Sequence, residues 1–487
     1  MTDSHQSFPS AATSRILAEF LADITIARLP SRVREDTVRS VLDWLGSAVA
    51  GSFERPARLA QGVAARWGSG GDATMFAVGP APAAAAAFAN GVAAHILELD
   101  DVHKGSTLHG GAPVIPAALA AAERAHSDGR SFVTAVAVGY ECALRIGEAV
   151  NPSHYRYWHP TGTCATFGAA AAAASIMRLS AAQFLDALGS AGTQAAGLWE
   201  FNADGTMSKH LHPGKAAFNG LLAADLAAVG FTGASRILEG ERGFLRATSA
   251  SYDVARITEG LGAAWKISEN CYKLHSCCGH THSAIDVAIE LASSHAWSRD
   301  DVLEQVAGIR IDTYGPGFEI VQNMNPCTPY QAKFSLAYCV AAALLERRVG
   351  LEQFSTDRFD ASGVRETAIA TLLARTRVTV DPTFTAKYPA AWPGRVTLTL
   401  RDGTTLQADQ DYPRGNPENA VTTGELEEKF MSLVSPRIGR ARAAAAVDAV
   451  RRVELCEDMS TLFSDLGRIS VADDVGASVG SVASHAV

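Results

Sequence analysis

The sequence predicts a mainly α protein: an all-helical domain with a smaller α+β lid domain inserted before its C-terminal helices. Through the first half, apolar residues recur at three- and four-residue spacing, as in Val38, Val41, Leu42 and Leu45, which is the period of a helix face. After about residue 261 short stretches alternate apolar with other residues, the period of a strand. Beyond Pro417 the helical spacing returns. At 487 residues the chain is also too long for a single compact core.

These shifts place the helical domain at 1–265 with 410–470 and the lid at 266–409. A tail at 471–487, made of Ser, Gly, Ala and Val with few charges, is expected to be disordered. Residues 1–14 read as a short disordered lead, because they lack the apolar core of a signal peptide. Helices at 163–176 and 213–228 are dominated by Ala and Gly, which lets backbones approach closely, so they belong in the middle of a bundle. The stretch 77–97 carries no charge other than a histidine, but its two prolines and Ala/Gly content favour a buried helix over a membrane span. In the lid, 305–312, 377–381 and 395–400 read as strands of a small antiparallel sheet, the last ending in the turn Arg401-Asp402-Gly403. Helices are predicted at 281–294 and 330–345, and those at 423–433 and 440–454 are expected to pack back on the first domain.

Composition narrows the function. Hydrophobic residues at 47% and charged residues at 19% fit a folded enzyme. A net charge of -9 argues against a nucleic-acid binder, which needs an electropositive face to release counterions. Eight scattered cysteines fit reduced thiols in a cytoplasm. Dinucleotide, Walker and Gly-x-Ser-x-Gly motifs are missing from the sequence.

Ionisable residues bunch in four places against Gly, Pro and Ala. The first is LELDDVHKGSTLHGGAPVIP at 97–116, with Glu98, Asp100, Asp101 and His109; it reads either as a capped helix end or as a loop reaching a ligand. In the second, HYRYWHPTGTCATF at 154–167, His159 and Thr161 precede a helix N-terminus suited to a carboxylate, or else plug a loop. The third is SKHLHPGKAAFNG at 208–220. There Lys209 and His212 precede Pro213-Gly214, the expected helix start, and the lysine either snorkels or binds an anion. The fourth, NCYKLHSCCGHTHSAID at 270–286, carries Lys273 and Cys278. It allows a catalytic loop, a structural turn or a metal site, although its Cys/His spacing does not match a structural zinc pair. Tyr330 opens a further Ala-rich stretch, PYQAKFSLAYCVAAAL.

In this order and spacing the segments resemble the MmgE/PrpD family over about residues 14–433. The resemblance implies a helical domain plus an α+β lid, a homodimer, and a site in the cleft between the domains. Family members include 2-methylcitrate dehydratase, cis-aconitate decarboxylase and iminodisuccinate epimerase, which act on small polycarboxylates without a redox cofactor. Carried onto this chain, the acidic loop falls at Glu98, Asp100 and Asp101, the loop histidine at His109, the central histidine at His159 and the two lysines at Lys209 and Lys273. Two departures stand out: Val102 replaces the threonine expected after the paired aspartates, and Cys277-Cys278 replaces a histidine of the animal decarboxylases.

Removing a proton beside a carboxylate builds an enolate-like anion, which nearby cations stabilise. Lys209 and Lys273 are expected to hold substrate carboxylates, His159 or His109 to move the proton, and Asp101 to orient the imidazole. Glu98, Asp100, Thr161, His212, Cys278 and Tyr330 are expected to line the substrate. The expected partner is a small polycarboxylate, with no metal, cofactor, nucleic acid or membrane. Dehydration is the first expected reaction; epimerisation and decarboxylation are its alternatives. A non-catalytic carboxylate-binding protein and a metalloprotein built on the Cys/His loop are the rival classes.

Overall fold

Small side chains set the spacing of the helical unit in the computed structural model, which describes residues 12–68 and 70–468. The helices Ala83–Ala94, Gly111–Arg124, Gly129–Val150, Cys164–Ile176 and Ser208–Ala228 pack against one another. Gly91 and Gly214 let two of them touch, since a Cβ on Gly91 would sit 2.9 Å from the Cα of Gly214. Gly139 and Gly168 do the same for another pair; a Cβ on Gly139 would lie 2.8 Å from the Gly168 carbonyl oxygen. The mainly α class is as predicted.

Buried apolar residues gather in two large clusters. One runs from Leu17 through these helices and takes in Val421, Leu426, Phe430 and Val434. Accordingly Thr423–Ile438 packs on Ser31–Gly51, with the Phe430 ring 3.1 Å from where a Cβ on Gly46 would be. The other gathers His282–Ser294, Leu336–Glu346 and a four-stranded sheet around Ile285, Val306, Ile311, Val340 and Leu398. Among the described residues, no helix is long and apolar enough to cross a membrane.

Several expectations need correction. The sheet is mixed, in the order Thr405–Gln410, Gly394–Leu400, Val306–Thr313, Thr376–Val380, and its last pair is parallel, with Ile309 opposite Thr376. A parallel pair needs a crossover, here supplied by the helices between residues 313 and 376. The unpredicted strand Thr405–Gln410 is a half-exposed edge, TLQADQ, with only a weak apolar alternation. The turn at 401–403 is as read, with Gly403 at φ +89°. The helix expected at 330–345 is two, Pro329–Lys333 and Leu336–Glu346, because Ser335 caps the second by accepting the Tyr338 N–H at 3.2 Å. Pro213 lies inside the helix Ser208–Ala228 rather than at its start, so Lys209 and His212 are helical. The lead expected to end at Ser14 ends sooner, since Thr13–Ala22 is a helix and the Ser14 hydroxyl oxygen accepts the Leu238 N–H at 3.1 Å. Residues 1–11 of that lead and the whole tail at 471–487 lie outside the described residues.

Candidate active site

A two-residue ladder brings the first and fourth segments together: Val102–His103 pairs antiparallel with Asn270–Cys271. It places Lys273 beside the acidic loop. Glu98, fully buried, meets both predicted lysines, as Lys209 Nζ donates to its Oε1 and Lys273 Nζ lies 3.4 Å from Oε2. Burial opposes charge on Glu98, but the two ammonium groups overcome it and hold the carboxyl well below its usual range. Burial likewise disfavours the Lys273 ammonium, and Glu98 with Asp100 more than restores it. Lys209 also lies over the Phe334 ring, 4.9 Å from its centroid.

Imidazoles form the opposite wall. One ring nitrogen from each of His95, His109 and His159 lies within 4.8 Å of one from each of the other two. Each ring is held through Nδ1: His95 by the Asp100 carboxylate at 2.6 Å, His109 by the Asp101 carbonyl at 2.7 Å, His159 by His212 Nδ1 at 3.0 Å. Those partners make Nδ1 the protonated nitrogen of His95 and His109 and leave Nε2 as the base. Asp101 was the carboxylate expected to orient the imidazole, but Asp100 makes those contacts, to His95 and, at 3.2 Å, to His109. The Asp101 carboxylate is taken up by Gly111 N–H at 2.9 Å and by Tyr140 and Asn270 at 2.6 Å each.

The remaining predicted residues fall close by. Thr161 Oγ1 accepts the His109 N–H at 3.2 Å, and Tyr330 lies edge-on to His210, ring centroids 6.4 Å apart. The Tyr330 hydroxyl, His95 Nε2, His210 Nδ1 and Asp100 Oδ1 are all buried without a hydrogen-bond partner among the described residues. Buried polar atoms are otherwise almost always bonded, so these four are available to a polar ligand. Cys278 is buried, and its thiol is pushed up to about 12 by burial, so it is a neutral wall. A cleft of about 720 Å³ between Tyr155 and Trp199 on one side and Pro316, Ile320 and Tyr388 on the other adjoins this centre, because the Trp199 ring packs 5.0 Å from His159.

The Cys/His loop splits: Cys277 contacts His282, whose ring lies 5.0 Å from that of His275, while other members turn away. His275 pairs with Asp286 at 2.8 Å, His280 with the Tyr314 hydroxyl at 2.6 Å, and Cys277 with Thr281 at 3.1 Å. The ligand-type residues that do converge are His95, His109 and His159, which are spaced for one metal ion. His103, Glu148 and Glu269 make a second group, but Lys266 bridges its two carboxylates at 3.0 and 3.1 Å and supplies their countercharge. His95, His210, Asn270, Tyr140 and Lys333 belong to the site or its support and were not singled out in the sequence.

Burial is the main reason the site histidines resist protonation: it lowers His95 to about 4, His210 and His212 to about 3, and His159 well below the usual value. An unfolded chain takes up protons on these rings below about pH 6.5 that the folded chain does not bind. Stability therefore falls as pH drops from about 6.5, the four rings outnumbering Asp43 and Glu123, whose carboxyls burial raises to about 6 and about 7 and which oppose the fall. Glu98 and Asp100, held low by their cationic and imidazole neighbours, contribute fully above the unfolded carboxyl values of about 4 and lose that contribution progressively as the pH falls from there through their folded values. Urea midpoints are expected to fall between pH 7 and pH 5; equal midpoints across that interval would contradict neutral imidazoles.

A helical unit, an α+β unit and a buried array of ammonium groups and imidazoles beside a cleft lined by both match a two-domain family. The models of the MmgE/PrpD N-terminal and C-terminal domains match residues 15–256 and 275–455, and the chain belongs to the MmgE/PrpD family. It is 29% identical to a cis-aconitate decarboxylase-like protein of Aspergillus oryzae, covering 78% of this chain and 81% of that one. It is 27% identical to the cis-aconitate decarboxylase of Homo sapiens, covering 90% and 91%. A 2-methylcitrate dehydratase-like protein of Aspergillus oryzae is 25% identical over 42% of each chain.

Proposed function

We propose that this protein is a lyase for a small polycarboxylate and that its chemistry turns on one proton at a carbon next to a carboxylate. The observation that carries the reading is the juxtaposition of Lys209 and Lys273 with His95, His109 and His159 in a buried centre. Substrate carboxylates compete with Glu98 for the two ammonium groups. A bound polyanion also raises the affinity of the facing imidazoles for protons, which suits them to carry one.

Decarboxylation of an unsaturated tricarboxylate such as cis-aconitate is the first reaction to test, because relatives with that name align along most of the chain. Losing carbon dioxide from the methylene carboxylate breaks a carbon–carbon bond. The electron pair forms a new double bond and displaces the old one onto the carbon bearing another carboxylate, where a proton from an ammonium or imidazolium completes the product. Dehydration of a hydroxytricarboxylate is the second reading. It removes a proton from the same kind of carbon and expels hydroxide, and the dehydratase-like relative supports it.

The experiment is to incubate the purified protein separately with cis-aconitate, 2-methylcitrate, citrate and iminodisuccinate and follow each by proton NMR. Itaconate from cis-aconitate supports the first reading, and a new alkene from a hydroxy acid supports the second. No change with any of the four would favour a carboxylate-binding protein. Elemental analysis of the same sample decides whether His95, His109 and His159 act as proton carriers or as metal ligands: a stoichiometric metal would recast them as ligands.

A further inference from the structure

Glu98 has φ +57°, a left-handed conformation that strains any residue with a side chain and persists where neighbours enforce it. Three donors from distant segments grip the peptides on either side. The Leu97 carbonyl accepts from Ser276 Oγ at 2.6 Å and from Lys333 Nζ at 2.9 Å, and Lys333 Nζ also donates to Ser276 Oγ at 3.1 Å. The Leu99 carbonyl accepts from Lys429 Nζ at 2.6 Å, and that lysine is itself fixed by Asp43 at 2.6 Å. Lys429 comes from the helical side, on Thr423–Ile438. Ser276 and Lys333 come from the α+β side and are locked together there, since the Lys333 carbonyl accepts the Cys278 N–H at 3.0 Å.

Lys333 is an unusual choice for a structural bond. Its hydrogen-bond partners among the described residues are a carbonyl and a hydroxyl rather than a carboxylate, and burial pulls its ammonium down to about 8. An apolar side chain of the same length would fill the space without that desolvation. What the lysine adds is a directed donor that reaches across the junction to the peptide bond before Glu98.

We propose that Lys333 and Ser276 are positioning residues: from the α+β unit they clamp the Leu97 carbonyl, hold Glu98 in its left-handed conformation, and so assemble the Lys209–Glu98–Lys273 array only when that unit is seated. Neither residue hydrogen-bonds to the Glu98 carboxylate; both act through the backbone. The role rests on the reading of that array as the substrate-carboxylate site. It makes binding geometry depend on closure of the two units, so that the charge array exists where water has been excluded.

Hydrogen–deuterium exchange on the full chain tests the clamp without needing a substrate. The amides to follow are those of His103, His109 and Gly111, bound at 2.9, 3.2 and 2.9 Å in the loop that the clamp organises. Lys333→Met is expected to speed their exchange by roughly tenfold, the scale of one lost charged hydrogen bond at a buried acceptor. Ser276→Ala is expected to act in the same direction and serves if Lys333→Met fails to fold. Lys333→Arg, whose guanidinium can donate to the same carbonyl, restores protection, and the helix Cys164–Ile176 exchanges alike in all variants. Unchanged loop exchange in Lys333→Met and Ser276→Ala would overturn the clamp, and so would equal acceleration of loop and helix, which marks a general structural role. With a polycarboxylate that the wild type turns over, kcat falls in Lys333→Met and recovers in Lys333→Arg. A wild type that turns over no polycarboxylate counts against the lyase reading and leaves the exchange result standing.

Discussion

Lys273→Met is expected to lower kcat by about 10²- to 10³-fold, the range for removing one preorganised charge aimed at a developing anion. The lysine is buried, 3.4 Å from Glu98, and one of two cations facing the imidazole wall. Its loss leaves Glu98 paired with Lys209, so the protein should fold, and near-ultraviolet circular dichroism should match the wild type. His159→Ala is expected to fall in a similar range, about 10²- to 10⁴-fold, if its ring moves the proton. Near-wild-type turnover in both variants would remove the proton-transfer assignment.

The second large effect is on stability. Glu98→Gln leaves the Lys209 and Lys273 ammonium groups buried with no carboxylate within salt-bridge reach among the described residues. Stripping one partner from a buried charge group destabilises by roughly 3–5 kcal/mol, unless a lysine gives up its proton. Urea denaturation at pH 7 and pH 9 separates the two responses: a loss that shrinks at pH 9 marks lysine deprotonation. A loss below about 1 kcal/mol at both pH values would mean that the array is as well hydrated as a surface pair.

How much of this was legible in the sequence depended on how local each signal was. The four polar bunches were visible because charged residues set against Gly and Ala are conspicuous, and the structure does bring Glu98, Asp100, His109, His159, Lys209 and Lys273 into one neighbourhood. Which of two adjacent aspartates faces the imidazoles was not legible. Asp100 and Asp101 point to different partners because the chain turns between the left-handed Glu98 and the strand at Val102, and neither composition nor spacing reports that turn. His95 was overlooked because it ends an Ala-rich helix just before the acidic stretch; five residues ahead of Asp100, it could have been flagged as an ion-pair partner. Lys333 was hidden by reading 330–345 as one helix. The break depends on Ser335 acting as an N-cap, a signal that an unbroken apolar run masks. The parallel strand pair was out of reach for a different reason, since pairing across more than sixty residues leaves no trace in local alternation.

The central claim is that this buried array moves a proton at a carbon next to a carboxylate. Its most direct test is to run the turnover in D2O with whichever of the four polycarboxylates reacts, and to locate deuterium in the product or recovered substrate by proton and deuterium NMR. The account predicts deuterium on a carbon that itself bears a carboxylate, in itaconate or in recovered substrate, at a rate that falls with His159→Ala and Lys273→Met. Itaconate formed from cis-aconitate with no deuterium on such a carbon, or deuterium entering as fast in both variants as in the wild type, would contradict it.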